Sequence, residues 1–290
     1  MLLFFLYQIG QFLACYLPSS LAYWLADGLA FFCFFFPLGK YRKYKIAVLH
    51  NVSLILGKEK SHPQVERTAR EVFRNFGRYL REFLWLARLK RSEFFRLVTP
   101  MGVENLDAAL ARGKGTIILS AHFGNWEWGG ISLAQAGYPL NFLVRDHVNS
   151  WTNCLFERLR SKHQVQVISL KRLKEVLKAL KKNEVVAMLA DEESKNGAEV
   201  NLFGSKVCLS RGPFRIAFEM DTFISPAFMI RERKTGRQKI IVEPPILVRR
   251  SGEKEKDIRR AAEEFGRILQ KYLSYYPNHW LLLQQKRIQR

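Results

Sequence analysis

A chain of 290 residues that is 48% hydrophobic is long enough to bury one large core and too apolar to stay disordered. Its formal charge of +21 and pI near 10.0 are extreme for a soluble enzyme and point to an anionic partner: a lipid surface, nucleic acid or an acidic carrier. Four well-separated cysteines (Cys15, Cys33, Cys154, Cys208) give no CxxC pair, and no GxGxxG, GxxxxGK[ST] or HExxH pattern occurs, so no disulfide framework, metal or soluble cofactor is expected.

From Met1 to Leu38 the only charged residue is Asp27, and Leu, Phe, Trp and Tyr dominate; a basic shoulder, Lys40-Tyr-Arg-Lys-Tyr-Lys45, follows at once. This predicts a membrane anchor over 1–38 and a catalytic domain over 39–290, with the basic side facing the cytoplasm. A cleaved signal peptide fits less well, because the charges follow the apolar run instead of preceding it. Leu17-Pro18-Ser19 interrupts the run, leaving about 16 apolar residues on each side where a span needs roughly 20. A tilted span, a re-entrant hairpin and a pair of interfacial helices all remain open.

Beyond the anchor, helices are expected over 44–57 and 63–90, the second carrying an apolar stripe from Val72 to Leu86 among arginines. From Val103 the pattern alternates: helix to Arg112, strand 116–121, helix 125–136, strand 140–145, helix 150–161, strand 165–169, helix 171–182, strand 185–190. That alternation predicts an α/β fold with a mostly parallel central sheet flanked by helices. In the helix after Leu170, Leu173, Val176, Leu177 and Leu180 are expected on the packed side and Lys174, Lys178, Lys181 and Lys182 on the other, solvated or facing phosphate head groups. A loop at 191–204, a helix at 210–220, strands near 223–230 and 238–243, a charged helix at 254–276 and a final strand at 279–284 complete the chain.

The chemistry concentrates in Thr116-Ile-Ile-Leu-Ser-Ala-His-Phe-Gly-Asn-Trp-Glu-Trp-Gly-Gly130. Gly124 breaks the strand and Asn125 is a good helix N-cap, so His122 sits at a strand end and Glu127 rides the first helical turn, where the two can meet as a base and a carboxylate. With 6 His and 26 Asp plus Glu, roughly half a match to this spacing is expected by accident, so the motif needs its context. A capped helix start with a merely hydrogen-bonded histidine is the competing reading. Trp126, Trp128 and Phe203 read as core or interfacial aromatics, and His147, His163 and His279 as surface or interface residues.

The context is supplied by several ordered blocks: the apolar amino terminus, His122-Phe-Gly-Asn-Trp-Glu127, Val144-Arg-Asp146, Leu177-Lys-Ala-Leu-Lys-Lys-Asn-Glu-Val-Val-Ala187, Leu202-Phe-Gly204 and Tyr276-Pro-Asn-His-Trp280. Together they resemble the bacterial late acyltransferases of lipid A biosynthesis, within the lysophospholipid acyltransferase superfamily, over nearly the whole chain. The resemblance implies transfer of a fatty acyl chain from an acyl carrier protein or coenzyme A to a hydroxyl of a lipid A precursor or related glycolipid. It also implies residence at the bacterial inner membrane, with the catalytic domain on its cytoplasmic side. Such a reaction needs a base for the attacking hydroxyl, the role given to His122, and a carboxylate on the other ring nitrogen, given to Glu127. Negative charge building on the thioester oxygen needs donors, for which the amides near Gly124 and Phe203-Gly204 are candidates.

By the same likeness Arg145 and Arg160, with Arg158 close by, lie where the family's arginines hold anionic parts of donor or acceptor. Asp191 is similar to the family's Asp-(His/Gln/Glu) pair, and Ser210 and Gly212 to its Thr-x-Gly block, although Ser210-Arg-Gly-Pro213 departs from the usual Thr- and Ser-rich sequence. Gly124, Asn125, Arg145, Arg158, Arg160, Asp191, Phe203, Gly204 and Ser210 therefore form the expected substrate-binding set. Partners expected are the thioester donor, an anionic glycolipid or phospholipid acceptor and the membrane, with no nucleic acid. A glycerophospholipid or lysophospholipid acyltransferase and a non-catalytic basic membrane-surface protein are the alternatives.

Overall fold

Two apolar helices open the chain, α1 (Leu2–Tyr16) and α2 (Ser19–Phe35), broken apart where Pro18 lacks an amide donor. The computed structural model describes residues 1–192, 196–232, 235–284 and 288–289. α3 (Lys40–Leu56) and the long amphipathic α4 (Pro63–Trp85) follow, and α1, α2 and α3 all pack on α4. Contact with α2 is close: a Cβ on Gly77 would sit 2.9 Å from the Ala26 carbonyl oxygen. Beside it Asp27, the one charge in the apolar segment, accepts from Arg78 Nε at 2.7 Å and Nη2 at 2.6 Å. Among the described residues no single helix is long and apolar enough to cross a membrane; α2 and α3 pass that test only together, bent by 88°.

Then come α5 (Arg91–Leu97), β1 (Val98–Met101), α6 (Val103–Leu110), β2 (Thr116–Ser120), α7 (Trp126–Gln135), β3 (Leu140–Val144), α8 (Ser150–Ser161) and β4 (Gln166–Ser169). A 3-10 turn, Leu170–Arg172, leads into α9 (Leu173–Lys181), and β5 (Val185–Leu189), β6 (Ala198–Leu202), β7 (Ser205–Leu209) and α10 (Gly212–Met220) follow. The chain closes with β8 (Phe223–Arg231), β9 (Gln238–Val242), β10 (Ile246–Leu247), α11 (Lys254–Tyr275), a 3-10 turn Pro277–His279 and β11 (Ile288–Gln289).

The central sheet runs β1-β9-β8-β2-β5-β3-β4, with β10 on β8. Pairings from β8 through β2, β5 and β3 to β4 are parallel, as is β1 with β9; β9 and β10 pair antiparallel with β8. Side-chain alternation splits the sheet into two apolar layers. Ile117 and Leu119 of β2 face one core with Val176 of α9, Phe214 of α10 and Phe265 of α11; Ile118 faces the other with Phe83 of α4, Trp128 of α7 and Leu155 of α8. A third cluster joins α2, α3 and α4 through Phe34, Val48 and Val72.

The alternating middle of the chain folds as its periodicity requires, with shifts of one or two residues at element ends. Four expectations are corrected, the first on α9, which buries Val176, Ala179 and Leu180 and leaves Leu173 and Leu177, expected on the packed side, exposed. α4 stops at Trp85, where a turn leads to α5 and to the short strand β1, whose Pro100 suits its place at the sheet's edge. The loop expected over 191–204 contains β6, paired with β7 in a hairpin. The segment 279–284 forms a single bridge, Trp280 to Phe123, in place of a strand.

Candidate active site

The carboxyl ends of β2, β5, β3 and β4 lie on one edge of the sheet, where parallel α/β folds leave a crevice for ligands. β2 delivers His122 there and β5 delivers Asp191. The β2–β5 ladder continues past both strand ends, with the Ala190 amide donating to Ser120 O at 2.9 Å, so Asp191 arrives beside the backbone of His122. Its carboxylate is wholly buried and accepts three donors: His122 N–H at 3.0 Å, Trp280 Nε1–H at 2.8 Å, and the ring Nδ1 at 2.9 Å. A carboxylate on Nδ1 fixes the tautomer with Nε2 free to accept a proton.

This corrects the expected pairing of His122 with Glu127. α7 does start as anticipated, with Asn125 Oδ1 accepting from the Trp128 amide at 3.0 Å, and Glu127 rides its first turn. From there, however, Glu127 faces α8, where Arg160 donates to it bidentately at 2.6 and 3.0 Å, both side chains buried. Arg160 is thereby corrected too: its guanidinium is committed to Glu127, not open to an anionic substrate.

Electrostatics favour protonation of the imidazole. Burial alone would depress its pKa, but the Asp191 charge and hydrogen bond outweigh it and raise His122 above its ordinary value. Burial likewise pushes Asp191 up, and the His122 charge with the donated hydrogen bonds brings it below the usual carboxylate range. On the open side, Nε2 stands 3.9 Å from Glu192 Oε1, and Glu192 in turn accepts from the exposed Arg145 at 2.9 Å. The His122 side chain retains 21% of its accessible surface. Trp126 meets the imidazole edge-on at 4.9 Å between ring centres and stacks on buried Tyr79 at 4.3 Å, so this aromatic packs on the α2–α4 cluster, as expected, and also walls the site.

Other members of the expected set serve the scaffold. The Gly124 amide donates to His279 O at 2.8 Å, and the Leu281 amide to His122 O at 2.6 Å, which ties the carboxyl-terminal segment to the loop. Phe203 and Gly204, both at positive φ, are the two-residue turn of the β6–β7 hairpin, and the Phe203 amide donates to Gln270 Oε1 at 2.7 Å. Of the amides expected to meet an oxyanion, those of Gly124 and Phe203 are thus already engaged. Ser210 Oγ donates to Glu192 O at 3.1 Å and its amide to Ala190 O at 2.7 Å, bracing the strand end that carries Asp191. Gly212 opens α10, and Arg158 is exposed on α8. His163 and His279 are buried and hydrogen-bonded, not surface residues.

Sequence reasoning missed the support beneath the loop. Glu82 of α4 is fully buried and accepts from Arg231 Nη1 at 2.6 Å, Tyr23 at 2.7 Å, Asn125 Nδ2 at 2.7 Å and Gln238 at 3.0 Å. Asn125 therefore caps α7 with its oxygen and anchors to α4 with its amide nitrogen, a structural task in place of the expected substrate contact. Burial pushes the Glu82 carboxyl up, while Arg231 and the donated hydrogen bonds bring it below its ordinary value. In an arginine-rich amphipathic helix a glutamate reads as surface, as Glu66 and Glu71 also do; the place of Glu82 among Tyr79, Phe83 and Leu84 was the available signal.

Gly124 has φ of 60°, and a Cβ there would lie 2.0 Å from the Met229 carbonyl oxygen. Gly124→Ala is expected to destabilise the protein by about 2 kcal/mol or more, since both a left-handed backbone and a backbone clash oppose it. Thermal unfolding of the detergent-solubilised chain checks this, an unchanged midpoint being the contrary result.

The bacterial lipid A biosynthesis acyltransferase family model matches residues 1–287. A phosphatidylinositol mannoside acyltransferase of Mycobacterium tuberculosis is 28% identical over 160 residues, covering 52% of this chain and 51% of that protein. The one from Mycolicibacterium smegmatis is 23% identical over 216 residues, 72% and 69% of the two chains. A lipid A biosynthesis acyltransferase of Haemophilus influenzae is 25% identical over 178 residues, 60% and 54%. The matched region is thus about half the length of the first and last of these relatives. With the family match running from the apolar amino terminus through the His122 loop to the carboxyl-terminal segment, the chain belongs to the bacterial lipid A biosynthesis acyltransferase family.

Proposed function

We propose that this protein moves a fatty acyl group from a thioester to a lipid hydroxyl at a membrane surface, with His122 as general base and Asp191 as its carboxylate. The observation that carries the reading is the hydrogen bond of His122 Nδ1 to a buried Asp191, which leaves Nε2 as the proton acceptor on the accessible side. The acceptor hydroxyl gives its proton to Nε2 as its oxygen attacks the thioester carbon; the C–S bond then breaks, and the departing thiolate takes the proton back from the imidazolium. A thioester is already activated, so no protein nucleophile is required.

Arg145, exposed at the rim and paired with Glu192, is the cation placed to meet an anionic part of donor or acceptor. Glu127 and Arg160 hold α7 against α8 and so keep the aromatic wall of Trp126 in place. The relatives' names pair acyl transfer with a phosphatidylinositol mannoside or with lipid A, which supports a glycolipid acceptor for this chain.

Membrane residence is supported by the exposed apolar side chains of α1 and α2, among them Phe5, Ile9, Phe12, Trp24, Leu29 and Phe32, and by the basic shoulder Lys40–Lys45 beside them. In this reading the two helices lie at the inner membrane's cytoplasmic surface, both packed on α4, with α2 tied to it by the Asp27–Arg78 pair. His122→Ala is expected to lower transfer by about 10³-fold or more, with unchanged circular dichroism and membrane recovery. Product formation from a radiolabelled acyl thioester and a membrane lipid extract is the assay; activity retained within tenfold would remove His122 from the mechanism.

A further inference from the structure

Arg81 of α4 is only 6% accessible, yet its Nε and Nη1 have no acceptor, and among the described residues no carboxylate pairs with it. Arg160 and Arg231, by contrast, are each answered by a buried glutamate at 2.6 Å. The Arg81 guanidinium lies over the rings of Tyr23 and Trp85, at 4.4 and 4.3 Å, and Nη2 donates at 3.1 Å to Ser19 Oγ, at the exposed first residue of α2. A buried cation without a counterion is costly, so its place points to a charge that arrives from outside.

The elbow between α1 and α2 suits an anion. Pro18, at the N-cap of α2, has no side-chain acceptor, and the amides of the exposed Ser19, Ser20 and Leu21 have no partner among the described residues, so the positive end of a 17-residue helix is open there. Having accepted from Arg81, the Ser19 hydroxyl turns its own proton to the open side. A second cation, the exposed Arg88, donates to Cys15 O at 3.2 Å and lies over the Tyr16 ring at 4.9 Å; it too pairs with no carboxylate among the described residues. Arg88 also lines a groove of about 490 Å³ along α1, with Gln8, Gln11, Phe12, Cys15 and Tyr16.

Resting on the membrane reading of α1 and α2, we infer that this elbow is a binding site for the phosphate of an anionic membrane phospholipid. The phosphate sits at the head of α2 between Arg81 and Arg88, and the groove takes the glycerol part. Tyr16, Leu21 and Trp24 are exposed beside it, as side chains at the headgroup level should be. A soluble phosphate ester would leave them in water, and a second copy would set +21 against +21. The next residue, Glu82, holds Asn125 of the His122 loop, so one turn of α4 joins this lipid contact to the active site.

The test titrates the full chain in maltoside detergent with dihexanoyl-phosphatidylglycerol, dihexanoyl-phosphatidylcholine and inorganic phosphate, and reads binding from ³¹P NMR line broadening. Phosphatidylglycerol is expected to bind about tenfold more tightly than either of the others, and Arg81→Met and Arg88→Gln each to weaken it by about tenfold or more. Because Arg88 is exposed, its replacement leaves the fold intact even where loss of Arg81 does not. Lys43→Gln removes one charge from the exposed basic shoulder and should cost no more than about fivefold, the effect of a cation that only attracts a charged surface. Losses in the two arginine variants no larger than in Lys43→Gln, or equal affinity for the two lipids, overturn the site. Inorganic phosphate binding as tightly as phosphatidylglycerol assigns the elbow to a soluble anion and overturns the lipid. Flotation with phosphatidylcholine vesicles reports on the membrane reading separately and should be equal in native protein and both arginine variants. A native chain that fails to float refutes that reading, and the titration then decides the elbow by itself.

Discussion

Asp191→Asn is expected to lower kcat by about 10² to 10⁴-fold while leaving KM close to native, because the change touches the base and not the substrate. An amide at this place still fills the buried volume, and its oxygen or nitrogen can face Nδ1, but it carries no charge to stabilise the imidazolium and no longer dictates which ring nitrogen holds the proton. The pH profile adds an independent sign. Protonated His122 cannot accept the hydroxyl proton, so activity rises with pH through the pKa of the imidazole. Asp191 raises that pKa above its ordinary value, so the acidic limb of kcat/KM lies above about 6.5 in the native protein and moves to lower pH in Asp191→Asn. Glu127→Gln should leave the limb nearer its native position, since the Glu127 charge is the smallest of the named influences on His122 and its carboxylate is hydrogen-bonded to Arg160.

Glu82→Ala is expected to cost about 3–5 kcal/mol of stability. Arg231 would be left buried without its carboxylate, and Tyr23, Asn125 and Gln238 would each lose an acceptor. Replacing both partners by apolar residues, Glu82→Leu with Arg231→Met, should recover part of the loss, because the unpaired charge disappears with the pair. As the folded Glu82 pKa lies below its ordinary value, the pair's contribution is present at pH above the unfolded-state value near 4.3 and fades as pH falls through the folded one. Chemical denaturation in detergent at neutral and acidic pH measures both effects. Equal midpoints for native protein and Glu82→Ala at neutral pH would mean that this hub does not support the loop.

What local sequence can encode was readable: β2 as a short apolar run, Gly124 as its break, Asn125 as the cap of α7, and His122 at the strand end. What failed depends on sheet order. His122 and Asp191 are 69 residues apart and meet only because β2 lies beside β5, so a spacing pattern drew attention to Glu127, five residues away, instead. Glu127 and Arg160 were each recognised singly, yet nothing local shows that they satisfy one another across the α7–α8 packing. Phe203-Gly204 was seen as a motif, but its hairpin geometry required knowing that 198–202 is a strand, in a stretch whose polar alternation was read as loop. The α9 leucines failed for a subtler reason. Both faces of that helix carry leucine, and only contact with the sheet selects Val176, Ala179 and Leu180 as the buried set.

Acyl transfer by the proposed route depends on His122 as a base tuned by Asp191. The most direct measurement is a ¹⁵N-histidine NMR titration of the detergent-solubilised chain, with the His122 signals assigned by His122→Ala. A neutral ring protonated at Nδ1, with a pKa above about 6.5 that drops clearly in Asp191→Asn, is the predicted result. A neutral ring protonated at Nε2, or a pKa that ignores Asp191 and follows Glu127, would contradict it.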